Sequence, residues 1–185
     1  MNYCSSCGSG AMSVTFPSLD NIARQVCQNC QTIFYSNPKI ITGAVVTHQN
    51  HFLLCKRDIE PQKGYWTYPA GFLENNETVE EGAKRETFEE SEAEIDIKRL
   101  IGVYTLTSVN QIHLVYHGIM TSEHFATTPE SSEAKLVSQK KIPWDNLAFP
   151  VIRWALKAYL NPDIAERVDA RSTHLSLQES LIQDQ

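Results

Sequence analysis

The sequence predicts an α/β domain preceded by a small, metal-stapled ribbon. Two observations carry this expectation. Two CxxC pairs open the chain, at Cys4/Cys7 and Cys27/Cys30. After them, β-branched or alternating runs surround a well-signposted helix near residues 78–93, and Pro150 opens a second helix. The expected division is a ribbon over 1–36, the main domain over 37–162 and a tail over 163–185.

Nineteen residues separate the two CxxC pairs. That is zinc-ribbon spacing, in which two knuckles each supply two thiolates to one tetrahedral ion. Disulfides compete, but a reducing cytoplasm disfavours them. A redox CxxC competes too, yet neither pair follows a strand at a helix start. Cys4, Cys7, Cys27 and Cys30 are therefore the expected ligands of a structural Zn²⁺. So small a ribbon buries too little apolar surface to fold alone, and the metal supplies the difference. Residues 1–38 contain one basic side chain, Arg24, where phosphate contacts need several. The ribbon reads as a structural element, with a homodimer through it as the candidate assembly. Cys55, in the apolar run Phe52–Cys55, reads as a core residue.

Tyr35-Ser36-Asn37-Pro38-Lys39 links the ribbon to the main domain. Ile40–His48 and Phe52–Lys56 read as a hairpin. Further strands are expected over Ile95–Thr107, Gln111–Met120 and Ala134–Ile142. On the Gln111–Met120 strand His113 and His117 share a face, but roughly 13 Å at about 3.3 Å per residue is too far for one ion. They read as ordinary strand histidines. Pro150 suits the first turn of a helix to Leu160, which Asn161-Pro162 stops. The polar stretch from Asp163 reads as a peripheral helix or frayed tail.

The 185 residues are 42% hydrophobic, enough for a core, and carry a net charge of −6. That charge argues against general nucleic-acid affinity and suits a protein that recruits a divalent cation. No run approaches 18 apolar residues, so no membrane span is expected. The start, MNYCSSCGSG, lacks the features of a signal peptide. The expected location is the cytoplasm.

The most informative segment is Gly71–Ala93, GFLENNETVEEGAKRETFEESEA. Thr78 and Glu81 make a capping box for its helix. Glu86, Glu89 and Glu90 stand at i, i+3 and i+4, so a helix gathers three carboxylates. Such like charges repel unless a hard cation binds them. A solvated acidic helix is the competing reading, and it explains neither the Gly71 loop nor the lone Arg85.

This segment resembles the signature of the Nudix hydrolases: Gly71, five residues, Glu77, seven residues, then Arg85-Glu86, two residues, Glu89-Glu90. Two positions depart from it. Thr87 replaces an aliphatic residue, and Glu92 replaces a late glycine. The resemblance implies the Nudix fold, a mixed sheet sandwiched between helices. It also implies pyrophosphate hydrolysis with Mg²⁺, or Mn²⁺ in its place. Glu86 and Glu90 are then the principal ligands, joined by Glu89 and the Ala70 carbonyl. Glu77 and Arg85 become supports, and Gly71 lets the loop turn tightly. A loop acid is expected as base or extra ligand, Glu133 before Glu130.

Trp66, Tyr68 and Phe72 are the candidate substrate contacts, with Tyr104 as a further aromatic, and core packing is the competing reading favoured for any one of them. The chain lacks the SQPWPFPxS segment of NADH pyrophosphatases, and Val109 stands where many ADP-ribose pyrophosphatases place proline. From Cys4 to Leu160 it is similar to the group of plant chloroplast FAD and ADP-ribose pyrophosphatases. YSNPK, LLCKR, GYWTYPAGFLE, PESSE and LAF carry that similarity. It implies a small-molecule nucleoside diphosphate substrate, FAD first and ADP-ribose close behind. NADH hydrolysis, RNA decapping and an inactive ligand-sensing regulator are the alternatives. The near absence of basic residues in the ribbon counts against decapping, and the full carboxylate set counts against the regulator.

Overall fold

Ribbon strands are short where little apolar sequence is available to hold them. In the computed structural model, which describes residues 1–161 and 167–173, the chain forms two compact units, Met1–Asn37 and Pro38–Gln185. The first is an antiparallel sheet of β1 (Met12–Thr15), β2 (Arg24–Cys27) and β3 (Ile33–Phe34) in that order. Its buried hydrophobic residues are Cys4, Val26 and Cys27, whereas Val14, Phe16 and Leu19 are exposed. That is not a core. The four thiols take its place, with every Sγ of Cys4, Cys7, Cys27 and Cys30 within 4.8 Å of the others.

Cys4–Cys30 and Cys7–Cys27 sulfurs are each 3.6 Å apart. A tetrahedral zinc with Zn–S bonds of about 2.3 Å has edges of about 3.8 Å. The donor set therefore fits the ion. The Thr32 hydroxyl, 3.1 Å from Cys30 Sγ, holds that thiol down at about 6, favouring the thiolate a metal needs.

The second unit is built on one mixed sheet. β4 (Lys39–His48) and β5 (His51–Arg57) form the hairpin, joined through Gln49 and Asn50 at φ 45° and 64°. Positive φ at both centres is what a tight two-residue hairpin turn requires. There follow β6 (Trp66–Thr67), β7 (Ala70–Phe72), α1 (Val79–Ser91), β8 (Ile95–Leu106), β9 (Gln111–Met120), β10 (Ser131–Ser138), α2 (Pro150–Leu160) and β11 (Asp169–Thr173). The sheet order is β10-β5-β4-β9-β8-β11, with β6 on β5 and β7 on β4. β4–β9 and β8–β11 are parallel, and the other pairs are antiparallel.

Alternation along β4 divides the core. Val45 packs with Val151 and Leu156 of α2 on one face, while Ala44 and Val46 pack with Ala83 of α1 on the other. The sheet thus lies between the two helices.

Two expectations change. β10 starts and ends earlier than Ala134–Ile142, because its pairing partner β5 runs from His51 to Arg57 and residues 139–141 wind into a 3-10 turn. Within the expected tail, Asp169–Thr173 is neither helix nor fray but a strand, pairing in parallel with Gly102–Leu106. Backbone pairing to the free edge of β8 holds it, which needs no apolar signature in the sequence. Residues 163–166 and 174–185 of the expected tail, and residue 162 before it, lie outside the described residues.

The capping box is present: Glu81 N–H donates to Thr78 Oγ1 at 3.2 Å, and Thr78 N–H to Glu81 Oε2 at 2.7 Å. The other end of α1 carries the departure noted in sequence. Glu92 is the C-cap in left-handed geometry, φ 54°, its N–H donating to Phe88 O at 2.7 Å. A side chain in that region costs about 1–2 kcal/mol, partly recovered in the unfolded chain relative to glycine. Glu92→Gly is expected to raise Tm by about 1–3 °C, read by calorimetry. Elemental analysis of the purified protein is expected to find one zinc per chain. Cys27→Ser is expected to lose the zinc and unfold residues 1–37, seen as loss of their amide hydrogen-exchange protection.

Candidate functional site

α1 presents one guanidinium among its carboxylates. Arg85 Nε and Nη2 donate to the two oxygens of Glu77 at 3.0 and 2.8 Å. Nη1 donates to Glu86 Oε1 at 2.7 Å and Glu89 Oε2 at 2.9 Å, and Nη2 to the Phe72 carbonyl at 3.0 Å. This ties the 71–77 loop to the helix. Glu77 also accepts from Glu74 N–H at 2.7 Å. Arg85 first, then that N–H, pull Glu77 down to about 2.

Gly71 stands against Glu86. A Cβ there would lie 2.2 Å from Glu86 Oε2, so any side chain would displace the carboxylate. Gly71 does not adopt positive φ. Its contribution is space for Glu86 rather than the tight turn expected from sequence.

A cavity of about 630 Å³ opens beside these groups. Glu86, Glu89, Glu90 and Glu130 line it, together with Ala70. Glu90 is 6% exposed. Burial and then the charge of Glu86 push its carboxyl up to about 8, with Arg57 and the Ala70 N–H opposing. Burial raises Glu86 as well, against the pull of Arg85. Buried carboxylates held side by side carry a large desolvation and repulsion cost. Hard oxygen donors in that condition suit a divalent cation, which removes both costs.

Glu133 lies elsewhere. It ion-pairs with Lys56 at 2.7 Å and with Lys135, which, through these two bonds, bring it down to about 2. Strand register explains this. Glu133, Lys56 and Trp66 form one cross-strand row, and Ala134, Cys55 and Thr67 form the next, on the opposite face. It is Cys55 whose Sγ reaches Glu90, donating to its carbonyl at 3.8 Å. Glu130, in the loop before β10, is the acid that reaches the cavity.

The same row removes Trp66 from the cavity wall. Its ring lies under Lys135 and Lys56, with Nζ atoms 5.3 and 5.9 Å from the centroid. Tyr68 and Phe72 do line the cavity. Tyr68 is almost wholly buried, while Phe72 is half exposed with Lys39 Nζ 5.0 Å over its ring. Tyr104 is a core residue tilted against Trp154 at 5.8 Å. The two histidines part company: His113 lines the cavity, and His117 packs on Tyr159 and meets Thr47 Oγ1 at 2.9 Å.

Sequence reasoning missed Arg57 and Phe149. Both line the cavity, with the guanidinium 5.2 Å over the phenyl ring. Arg57 ends the LLCKR run, and a terminal cation on a half-buried strand was the available signal.

The profile of the NUDIX domain matches residues 38–155, and that of the Nudix N-terminal zinc ribbon matches residues 2–36. The chain belongs to the Nudix family. A crystal structure of a NUDIX hydrolase from Nitrosomonas europaea is 38% identical, covering 94% of this chain and 99% of that one, with a TM-score of 0.88. An ADP-ribose pyrophosphatase of Methanocaldococcus jannaschii is 39% identical over 71 residues, 38% of this chain. An NAD-capped RNA hydrolase, NudC, of Edwardsiella ictaluri is 31% identical over 77 residues, 42% of this chain. The chain spans 42% and 30% of the lengths of these two relatives.

Proposed function

We propose that this chain is a metal-dependent pyrophosphohydrolase acting on a small nucleoside diphosphate derivative, FAD or ADP-ribose. One observation carries the reading. Glu86, Glu89, Glu90 and Glu130 converge in a cavity whose remaining wall is largely apolar, with Leu106, Val151 and Ile152 in it. Such a cavity accepts a molecule with one multiply charged part and one ring-bearing part.

Glu86, Glu89 and Glu90, with the Ala70 carbonyl, would hold Mg²⁺ or Mn²⁺. Held by these residues, such a cation would supply charge to offset pyrophosphate oxygens and would lower the pKa of a water. The chain's own groups do the rest. Arg85 fixes Glu86 and Glu89, so the donor atoms are in place before anything binds. Glu130 accepts the proton of the attacking water, the part that sequence reasoning gave first to Glu133. Arg57 faces the substrate's negative charge from the same wall. Water adds to one phosphorus, the bridging P–O bond breaks, and two monophosphates leave.

Relatives named as NAD-capped RNA hydrolases favour a second reading, in which the ribbon grips RNA. Arg24 is the one basic side chain in residues 1–38, and counterion release at several phosphates needs more. A small molecule is the better-supported substrate.

Two measurements test the proposal. Glu86→Gln and Glu90→Gln are expected to lower kcat at least ~100-fold, beyond the usual cost of losing a supporting group, with the far-UV spectrum unchanged. Near-normal turnover in both variants would sink the metal assignment. The second measurement is a panel of FAD, ADP-ribose, NADH and coenzyme A with Mg²⁺, resolved by chromatography. It is expected to give FMN and AMP from FAD, and AMP and ribose 5-phosphate from ADP-ribose, with NADH poorer. A kcat/KM for NADH well above both defeats the substrate choice.

A further inference from the structure

Two polar side chains in the cavity have no part in the hydrolysis just described. Gln111 and His113 open β9 and, two residues apart on a strand, share a face. Register fixes their neighbours: Gln111 lies between Lys39 of β4 and Leu106 of β8, His113 between Ile41 and Tyr104. Both line the cavity, where Leu106, Val109, Val151 and Ile152 supply the surrounding apolar surface.

His113 is 8% exposed, and its Nε2 lies 3.2 Å from Gln111 Oε1. An amide oxygen only accepts, so this bond puts the proton on Nε2 and the lone pair on Nδ1. The Gln111 amide nitrogen keeps both of its protons. Burial lowers the imidazole to about 4, so it is neutral at ordinary pH.

The pair therefore combines an N–H₂ donor with a ring-nitrogen acceptor, set among aliphatic side chains. Polar groups in an apolar wall cost desolvation unless a partner meets them. Their pattern complements a planar heteroaromatic edge that places a donor beside an acceptor, as adenine does with its N6 amino group and N7. The flat faces of such a ring suit the aliphatic surface. A bare sugar could meet the two polar groups with one edge, but its remaining hydroxyls would face Val109, Val151 and Ile152 unbonded.

We propose that Gln111 and His113 form the polar edge of a subsite for the heteroaromatic ring of a nucleotide, with the aliphatic residues covering the ring's faces. The proposal rests on the nucleotide-hydrolase reading above and narrows it: the ring, not the sugar, is what this part of the cavity selects.

Calorimetric titration of the full-length protein in Mg²⁺ tests it, with AMP, FMN and ribose 5-phosphate as probes. Gln111→Leu and His113→Phe keep the bulk and remove the hydrogen bonds. At least one ring probe, AMP or FMN, is expected to bind each variant about tenfold more weakly or worse, with ribose 5-phosphate unchanged. Should His113→Phe lower Tm, His113→Asn replaces it and is expected to retain more ring affinity than His113→Leu. Wild-type affinity for both ring probes in folded variants overturns the subsite. If the wild type still hydrolyses FAD or ADP-ribose in that case, the subsite alone falls. A wild type that binds neither ring probe and hydrolyses nothing in the panel overturns the hydrolase reading with it.

Discussion

The acidic end of the cavity depends on where one guanidinium spends its donors. Arg85 has five N–H groups, and five acceptors meet them: both oxygens of Glu77, one each of Glu86 and Glu89, and the Phe72 carbonyl. None is left over for a ligand. Lysine, with three donors on a point charge, could not reproduce the fork. Because Arg85 is saturated, its work is internal. It offsets repulsion along one face of α1 and anchors the loop that carries Gly71. A negatively charged ligand would then have to be met by other groups, which gives weight to Arg57 on the same cavity wall.

The second constraint is the two-residue period of the strands. It decides which acids and aromatics the cavity receives. Trp66 and Glu133 both lie close in sequence to cavity residues, yet their row turns them toward Lys56 and Lys135. Thr67, one residue from Trp66, lines the cavity. The same parity places His113 in the cavity and Leu114, its neighbour, against the α1 side of the core. Proximity in sequence says little about proximity to a site when alternate residues leave by opposite faces.

That contrast explains what the sequence disclosed. Glu86, Glu89 and Glu90 were legible because helical spacing alone brings them together, and the capping box fixed where that helix starts. The cysteine set was legible from spacing for the same local reason. Most strands of the main sheet followed from β-branched runs. Glu130, Arg57, His113 and Phe149 were not legible as a group, since four separate segments deliver them through tertiary pairing. Gly71 was singled out correctly but for another reason, as only the fold shows that Glu86 occupies the place of its missing Cβ. β11 carries no apolar alternation at all, and its pairing to β8 is a matter of backbone groups.

Both units cluster side chains of metal-ligating chemistry, and the two clusters pose different problems. In the ribbon, four thiols gather around one point, the complete set that a tetrahedral structural ion takes. They stand in for an apolar core that Cys4, Val26 and Cys27 cannot provide. On α1 the carboxylates converge from one side only, and the cavity opposite them stays open to a ligand. An open set is harder to keep folded, because its charges are not yet compensated when nothing is bound. Glu90, almost wholly buried and pushed up to about 8, shows the cost, which Arg57 and the Ala70 N–H oppose, while Arg85 offsets the charges of its neighbours Glu86 and Glu89. Strain of this kind belongs where binding relieves it, and among the described residues the open face of α1 is where a bound cation would relieve it.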